Sequence, residues 1–228
     1  MKKQKQGGFT LIEIAIVLVI IGLLLGGVLK GQELITSARV RNLISQQDGI
    51  KAAYFGFLDR YRALPGDYTA AATNINGVLP ASPCGGGNGN GNGQIELAEA
   101  VLAWEHLSKA GFMNGSYTCA AAEGPTTTPT NPYGTRLQLI YDAVYDSAPV
   151  AAVARHNVKT GTQIPSDIMA EVDRKADDGN AAGGTFRFSA YNGGGVVPTG
   201  SGTCYAAAAP NAWNAQNAVT NCGGASLF

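Results

Sequence analysis

One run of residues constrains this chain more than any other: Phe9 to Leu29, FTLIEIAIVLVIIGLLLGGVL, carries a single charge, Glu13. As a helix rising 1.5 Å per residue, this segment reaches about 31 Å, the thickness of a bilayer's hydrocarbon core. Ahead of it, MKKQKQGG holds Lys2, Lys3 and Lys5 and no acid, a bias that keeps the extreme N-terminus cytoplasmic and sends the remaining chain across. A secretory signal peptide has a shorter apolar stretch, about 7 to 15 residues, with small residues at a cleavage site after it. Here the small pair Gly7-Gly8 comes before the apolar run. A peptidase cutting after that pair removes the basic leader and leaves the apolar segment on the mature chain.

The string Gly8-Phe9-Thr10-Leu11-Ile12-Glu13, set between a lysine-rich leader and a spanning run, resembles the class III leader and mature N-terminus of type IV pilins and of the pseudopilins of type II secretion systems. The resemblance is confined to the leader and the apolar run. It implies cleavage after Gly8 and methylation of the new amine on Phe9 by a prepilin peptidase/N-methyltransferase. It further implies polymerisation with other pilin or pseudopilin subunits on an inner-membrane assembly platform, and no cofactor. The expected location is the bacterial inner membrane, crossed once, with a periplasmic domain that passes into a periplasmic pseudopilus or an extracellular pilus. One departure stands out. Many pilins carry a proline twenty-two residues into the mature chain, where this sequence has Lys30 among Gly26, Gly27 and Gly31.

Glu13 needs a physical reason to sit in lipid. A carboxylate inside a membrane span is a functional feature by default, and no Lys, Arg or His lies between Glu13 and Lys30. The obvious cation is the amine that cleavage creates at Phe9, in the same subunit or a neighbour. If the neighbour supplies it, the attraction arises only on assembly and selects axial register, as buried polar pairs do elsewhere. The alternative is an interfacial Glu13 reaching the headgroups from its place near the helix end.

Beyond the membrane run the helix continues. Leu43, Ile50, Tyr54, Phe57, Tyr61 and Leu64 recur at steps of three, four and seven, one face of a helix, and Pro65-Gly66-Asp67 is a stop-and-turn signal. Glu96 to Ala110 predicts a second helix with Trp104 and Leu107 facing the first, and Pro165 to Ala176 a third. Alternation at Arg136–Tyr141 and Thr185–Tyr191 predicts half-buried antiparallel strands. The expected fold class is α+β and pilin-like: a long N-terminal helix packed on a small antiparallel sheet, with a loop-rich, disulfide-tied C-terminal region. The expected division is a leader over 1–8, a membrane or filament-core half-helix over 9–29, an amphipathic half over 30–64 and a globular domain over 65–228.

Cys84, Cys119, Cys204 and Cys222 all fall on the side assigned as periplasmic or extracellular, where disulfides are the natural state. Three pairings exist. Cys84 with Cys119 and Cys204 with Cys222 are favoured because each closes a local loop; the second also resembles the C-terminal disulfide-bounded loop of pilins. A four-thiolate zinc site is the lesser reading, since no C-x-x-C pair is present. The run Gly85 to Gly93 alternates glycine and asparagine and reads as flexible surface loop; as a calcium loop it lacks carboxylates, with Glu96 the acid that could supply one. Asp177, Asp178 and Asn180 are weak calcium candidates within a charge run that reads mainly as a solvated face. His106 and His156 are too few for a histidine-rich zinc set and are expected at solvent or at caps.

Lys plus Arg and Asp plus Glu number sixteen each, so the basic field that nucleic acid requires is missing and nucleic acid is an unlikely partner. No G-x-S-x-G, H-E-x-x-H or phosphate-binding loop occurs, which argues against an enzyme. The competing class of function is a membrane-anchored extracytoplasmic binding or adhesin module that does not polymerise, with Trp213, Tyr191 and Tyr205 as its ligand surface.

Overall fold

The computed structural model describes residues 10–80, 84 and 86–228. Its elements are α1 (Leu11–Tyr61), α2 (Ala71–Asn74), α3 (Ala100–Lys109), β1 (Gln138–Asp142), β2 (Arg155–Lys159), α4 (Ser166–Ala176), β3 (Phe186–Phe188) and β4 (Gly224–Leu227). The chain divides into two units, one ending at Arg39 and one running Val40–Phe228. The fold class is α+β, with a long N-terminal apolar helix, a small antiparallel sheet and two disulfides.

In the first unit α1 is apolar all round. Residues 11–30 are exposed on every face, from Leu11 at 91% to Leu29 at 67%, and the helix is long and apolar enough to cross a membrane. Nothing within this unit covers that surface, so it must meet lipid or other apolar helices.

In the second unit α1 becomes one-sided. Val40, Leu43, Gln47, Ile50, Ala53, Tyr54 and Phe57 are its buried residues. The first two join Ile168, Met169 and Val172 of α4, with Phe186, Phe188 and Trp213, in one apolar cluster. Ile50 to Phe57 join Trp104 and Leu107 of α3, Leu139 and Val158 in a second. The helix ends at Tyr61, three residues before the expected Leu64, because Arg62 takes a left-handed backbone (φ 54°). Such a conformation closes a helix C-terminus.

The sheet runs β1-β2-β4-β3, with every neighbouring pair antiparallel. Both outer strands are closed by the chain itself. On β1 the Tyr141 N–H donates to Ile95 O (2.8 Å), and just before it Leu137 N–H donates to Pro129 O (2.9 Å). On β3 the Phe188 N–H donates to Ala181 O (2.7 Å), while Phe186 N–H donates to the Asp177 carboxylate (3.3 Å). An outer strand with its polar groups spent in this way offers little template for strand addition.

The glycine–asparagine run is ordered around acids. Asp67, 4% exposed, accepts Gly91 N–H (2.5 Å), Asn92 N–H (3.0 Å) and Gly93 N–H (2.8 Å). A Cβ on Gly89 would run into the Gly66 carbonyl and the Asp67 backbone, so the composition is a packing requirement here and not slack chain.

Candidate functional site

The processing residues Gly8 and Phe9 lie outside the described residues; the described site begins at Thr10. Thr10 precedes the first turn of α1 and forms a reciprocal cap with Glu13. The Thr10 N–H and hydroxyl both donate to Glu13 Oε2 (2.7 Å each), and Glu13 N–H donates to Thr10 Oγ1 (3.3 Å). This is the Thr-x-x-Glu capping box, which satisfies two N-terminal donors that the helix cannot pair internally and places negative charge at the positive end of its dipole. Among the described residues no bond reaches Glu13 Oε1. The search for a cation missed this local partner, although the spacing of Thr10 and Glu13 announces it.

The remaining candidates separate clearly. Cys84 bonds Cys119 and Cys204 bonds Cys222, the pairs that close local loops. The second bridge packs in the cluster of α4, β3 and Trp213.

The Asp177, Asp178 and Asn180 side chains are brought together with Asp173, which the sequence did not nominate; carboxylate oxygens of the three aspartates lie within 4.8 Å of one another. Each has a structural partner. Asp173 accepts the Trp213 indole N–H (2.6 Å) and Gly179 N–H (3.3 Å). Asp177 accepts Thr185 and Phe186 N–H, Asp178 accepts Asn180 N–H (2.9 Å), and the Asn180 amide oxygen accepts Ala182 N–H (3.0 Å). Burial pushes the Asp173 carboxyl up to about 6, and the neighbouring Asp178 and Asp177 push the same way. These contacts account for the placement of the acids as the lock of the α4–β3 connection. Glu96, the acid that might have rescued a calcium loop, instead accepts the side-chain amides of Asn90 (3.2 Å) and Asn92 (3.0 Å).

Three expectations need correction. His106 is fully buried: its Nδ1 accepts Gly66 N–H (2.9 Å), its Nε2 pairs with Gly87 O (2.9 Å), and its ring stacks on Phe57. His156 is half-buried against Tyr54 and Tyr141. Neither imidazole serves at solvent or as a cap. The third concerns the suggested ligand surface: Trp213 and Tyr205 are each 5% exposed and pack on Phe188, so they belong to the core.

Residues 3–29 match the family described as the prokaryotic N-terminal methylation motif, the hallmark of type IV pilins and pseudopilins. The match takes in most of the leader and the apolar run, including Gly8, Phe9 and Glu13, and stops short of Val40–Phe228. No curated protein and no solved structure matches the chain.

Proposed function

We propose that this chain is a structural subunit of a type IV filament, either a pilus pilin or a type II secretion pseudopilin. It is cut after Gly8, methylated at Phe9 and polymerised through its N-terminal helix. The observation that carries this reading is the coincidence of the methylation motif at residues 3–29 with a helix that is apolar on every face save for Glu13. Such a helix is stable only in lipid or in the core of a helical assembly, and the reading gives it one environment before polymerisation and the other after.

Glu13 links the two states. In the free subunit Thr10 holds Oε2, so the acid enters the membrane with part of its hydrogen-bonding capacity filled. Its Oε1 remains for the amine that processing creates at Phe9. Supplied by a neighbouring subunit in an apolar core, that amine forms an ion pair far stronger than in water and rewards one axial register. The globular unit lies outside the cytoplasm, consistent with its two disulfides, which persist in oxidising compartments. The partners are therefore a prepilin peptidase, an inner-membrane platform and further subunits of the same type.

Mass spectrometry of the chain recovered from cells tests the processing: the expected mass lacks residues 1–8 and carries one added methyl group. The expected outcome for Glu13→Val is normal membrane insertion with loss of filaments. A wild-type chain that retains Met1 and its lysines and never enters a polymer overturns the proposal in favour of a membrane-anchored binding module.

A further inference from the structure

The polar groups of the wide groove over the outer face of β1 and β2 satisfy one another. Lys159 pairs with Asp142, and Glu123 accepts both Tyr191 and Gln138. A second cavity, between α1 and α4, behaves differently. It measures about 220 Å³ and is lined by Gln47, Asp48, Lys51, Lys175, Thr185 and Ser226, with Ile44 and Phe186 among its apolar walls. Gln47 is 4% exposed, lines this cavity, and has no partner at either atom of its amide. Buried polar atoms are almost always paired, so an amide left with both a donor and an acceptor empty marks a place where something else binds.

The lining restricts what that is. Lys51 is half-buried and makes no salt bridge among the described residues; burial lowers its pKa, against the through-space pull of Asp48 and Asp177. Lys175 is already paired with Glu171 (2.5 Å). Two ammonium groups face three carboxylates in and around the cavity, so the field favours neither a free anion nor a strong cation. What the walls do offer, within a small volume, is donors (Lys51, Lys175), an acceptor (Asp48) and groups that do both (Gln47, Thr185, Ser226). The complementary ligand is neutral and dense in groups that both donate and accept, which describes a polyol. The volume falls below the range of about 300–1,000 Å³ typical of drug-sized sites, which limits it to one small ring.

We propose that the cleft between α1 and α4 is a saccharide subsite that takes a single pyranose unit, with Gln47 hydrogen-bonding adjacent hydroxyls of the sugar and Lys51 and Asp48 completing the set. Single-sugar affinity is expected in the millimolar range, at the weak end of the binding scale.

The test is a nuclear magnetic resonance titration of the full-length chain in detergent micelles with D-glucose, D-mannose and N-acetyl-D-glucosamine, using acetamide and glycerol as controls. At least one sugar is expected to shift the Gln47 side-chain NH₂ resonances and the backbone amides of Lys51 and Phe186, at concentrations where the controls do not. Gln47→Leu, followed through Lys51 and Phe186, is expected to weaken that sugar's binding by about tenfold or more while the thermal midpoint stays level or rises. Should that variant fail to fold, Lys51→Met supplies the same readout. If no sugar shifts these resonances, or the controls match the sugars, the cavity is a hydrated space around an amide and the proposal is overturned. Filament formation is scored separately, so neither result depends on the other.

Discussion

At the scale of single residues, His106 shows how far a buried group can depart from its role on paper. Because Nδ1 accepts the Gly66 N–H, the proton of the neutral ring resides on Nε2 and faces Gly87 O. Protonation would aim a second N–H at the Gly66 donor. Burial pushes its pKa down to about 4 from 6.5. The unfolded chain therefore binds the proton first as pH falls, so the stabilisation is complete above pH 6.5 and is lost toward pH 4, where the loss reaches about 3 kcal/mol. Urea unfolding of the Val40–Phe228 unit at pH 7, 5.5 and 4 is the measurement. His106→Leu is expected to flatten the slope across that window, and an unchanged slope counts against this assignment. Nothing in the sequence marks His106 as interior except its place one residue before Leu107 in a helix that turns out to be buried on nearly every side. The Thr10–Glu13 cap is the opposite case, since its spacing was legible from the letters alone.

At the scale of elements, α1 was legible because two strong signals overlap in it: an unbroken apolar run, then a stripe from Leu43 to Phe57 that the fold buries. The strands β1 and β3 lie within the alternating segments Arg136–Tyr141 and Thr185–Tyr191. Strands β2 and β4 escaped. β2 reads Arg-His-Asn-Val-Lys, with Val158 its only apolar side chain; Asn157 and Lys159 are nonetheless buried, tied to Asp142 on the neighbouring strand. β4 reads Gly-Ala-Ser-Leu and is small because it must be: a Cβ at Gly224 would come within 2.6 Å of the Phe186 ring and 2.7 Å of the Met169 methyl. Tertiary neighbours, not local preference, make both of these strands. The glycine–asparagine loop misled for the same reason, its order being imposed by Asp67, Glu96 and Glu99 from outside the run. Gly89→Ala is therefore expected to destabilise the protein by about 1–3 kcal/mol through overpacking against the Gly66–Asp67 backbone, measured as a fall in the denaturant midpoint. Gly93→Ala, with open space around the position but a left-handed φ of 82°, is expected to act through backbone strain alone.

At the scale of the whole molecule, the second unit holds both large apolar clusters and both disulfides, whereas the first consists of exposed apolar helix. A chain beginning at Val40 is thus expected to fold without detergent and to unfold in one cooperative thermal transition, monitored by calorimetry with size-exclusion chromatography for oligomeric state. Reduction of the Cys204–Cys222 bridge should lower its stability by about 3 kcal/mol, the loop-closure value for a span of this size. Aggregation of the truncated, oxidised chain would show that the first unit contributes to the core. The closed outer strands of the sheet carry a last consequence. Precursors waiting in a crowded bilayer can collide sideways without zipping into tangles, so a cell can stockpile them and leave the choice of when to build to the machinery that gathers their greasy tails.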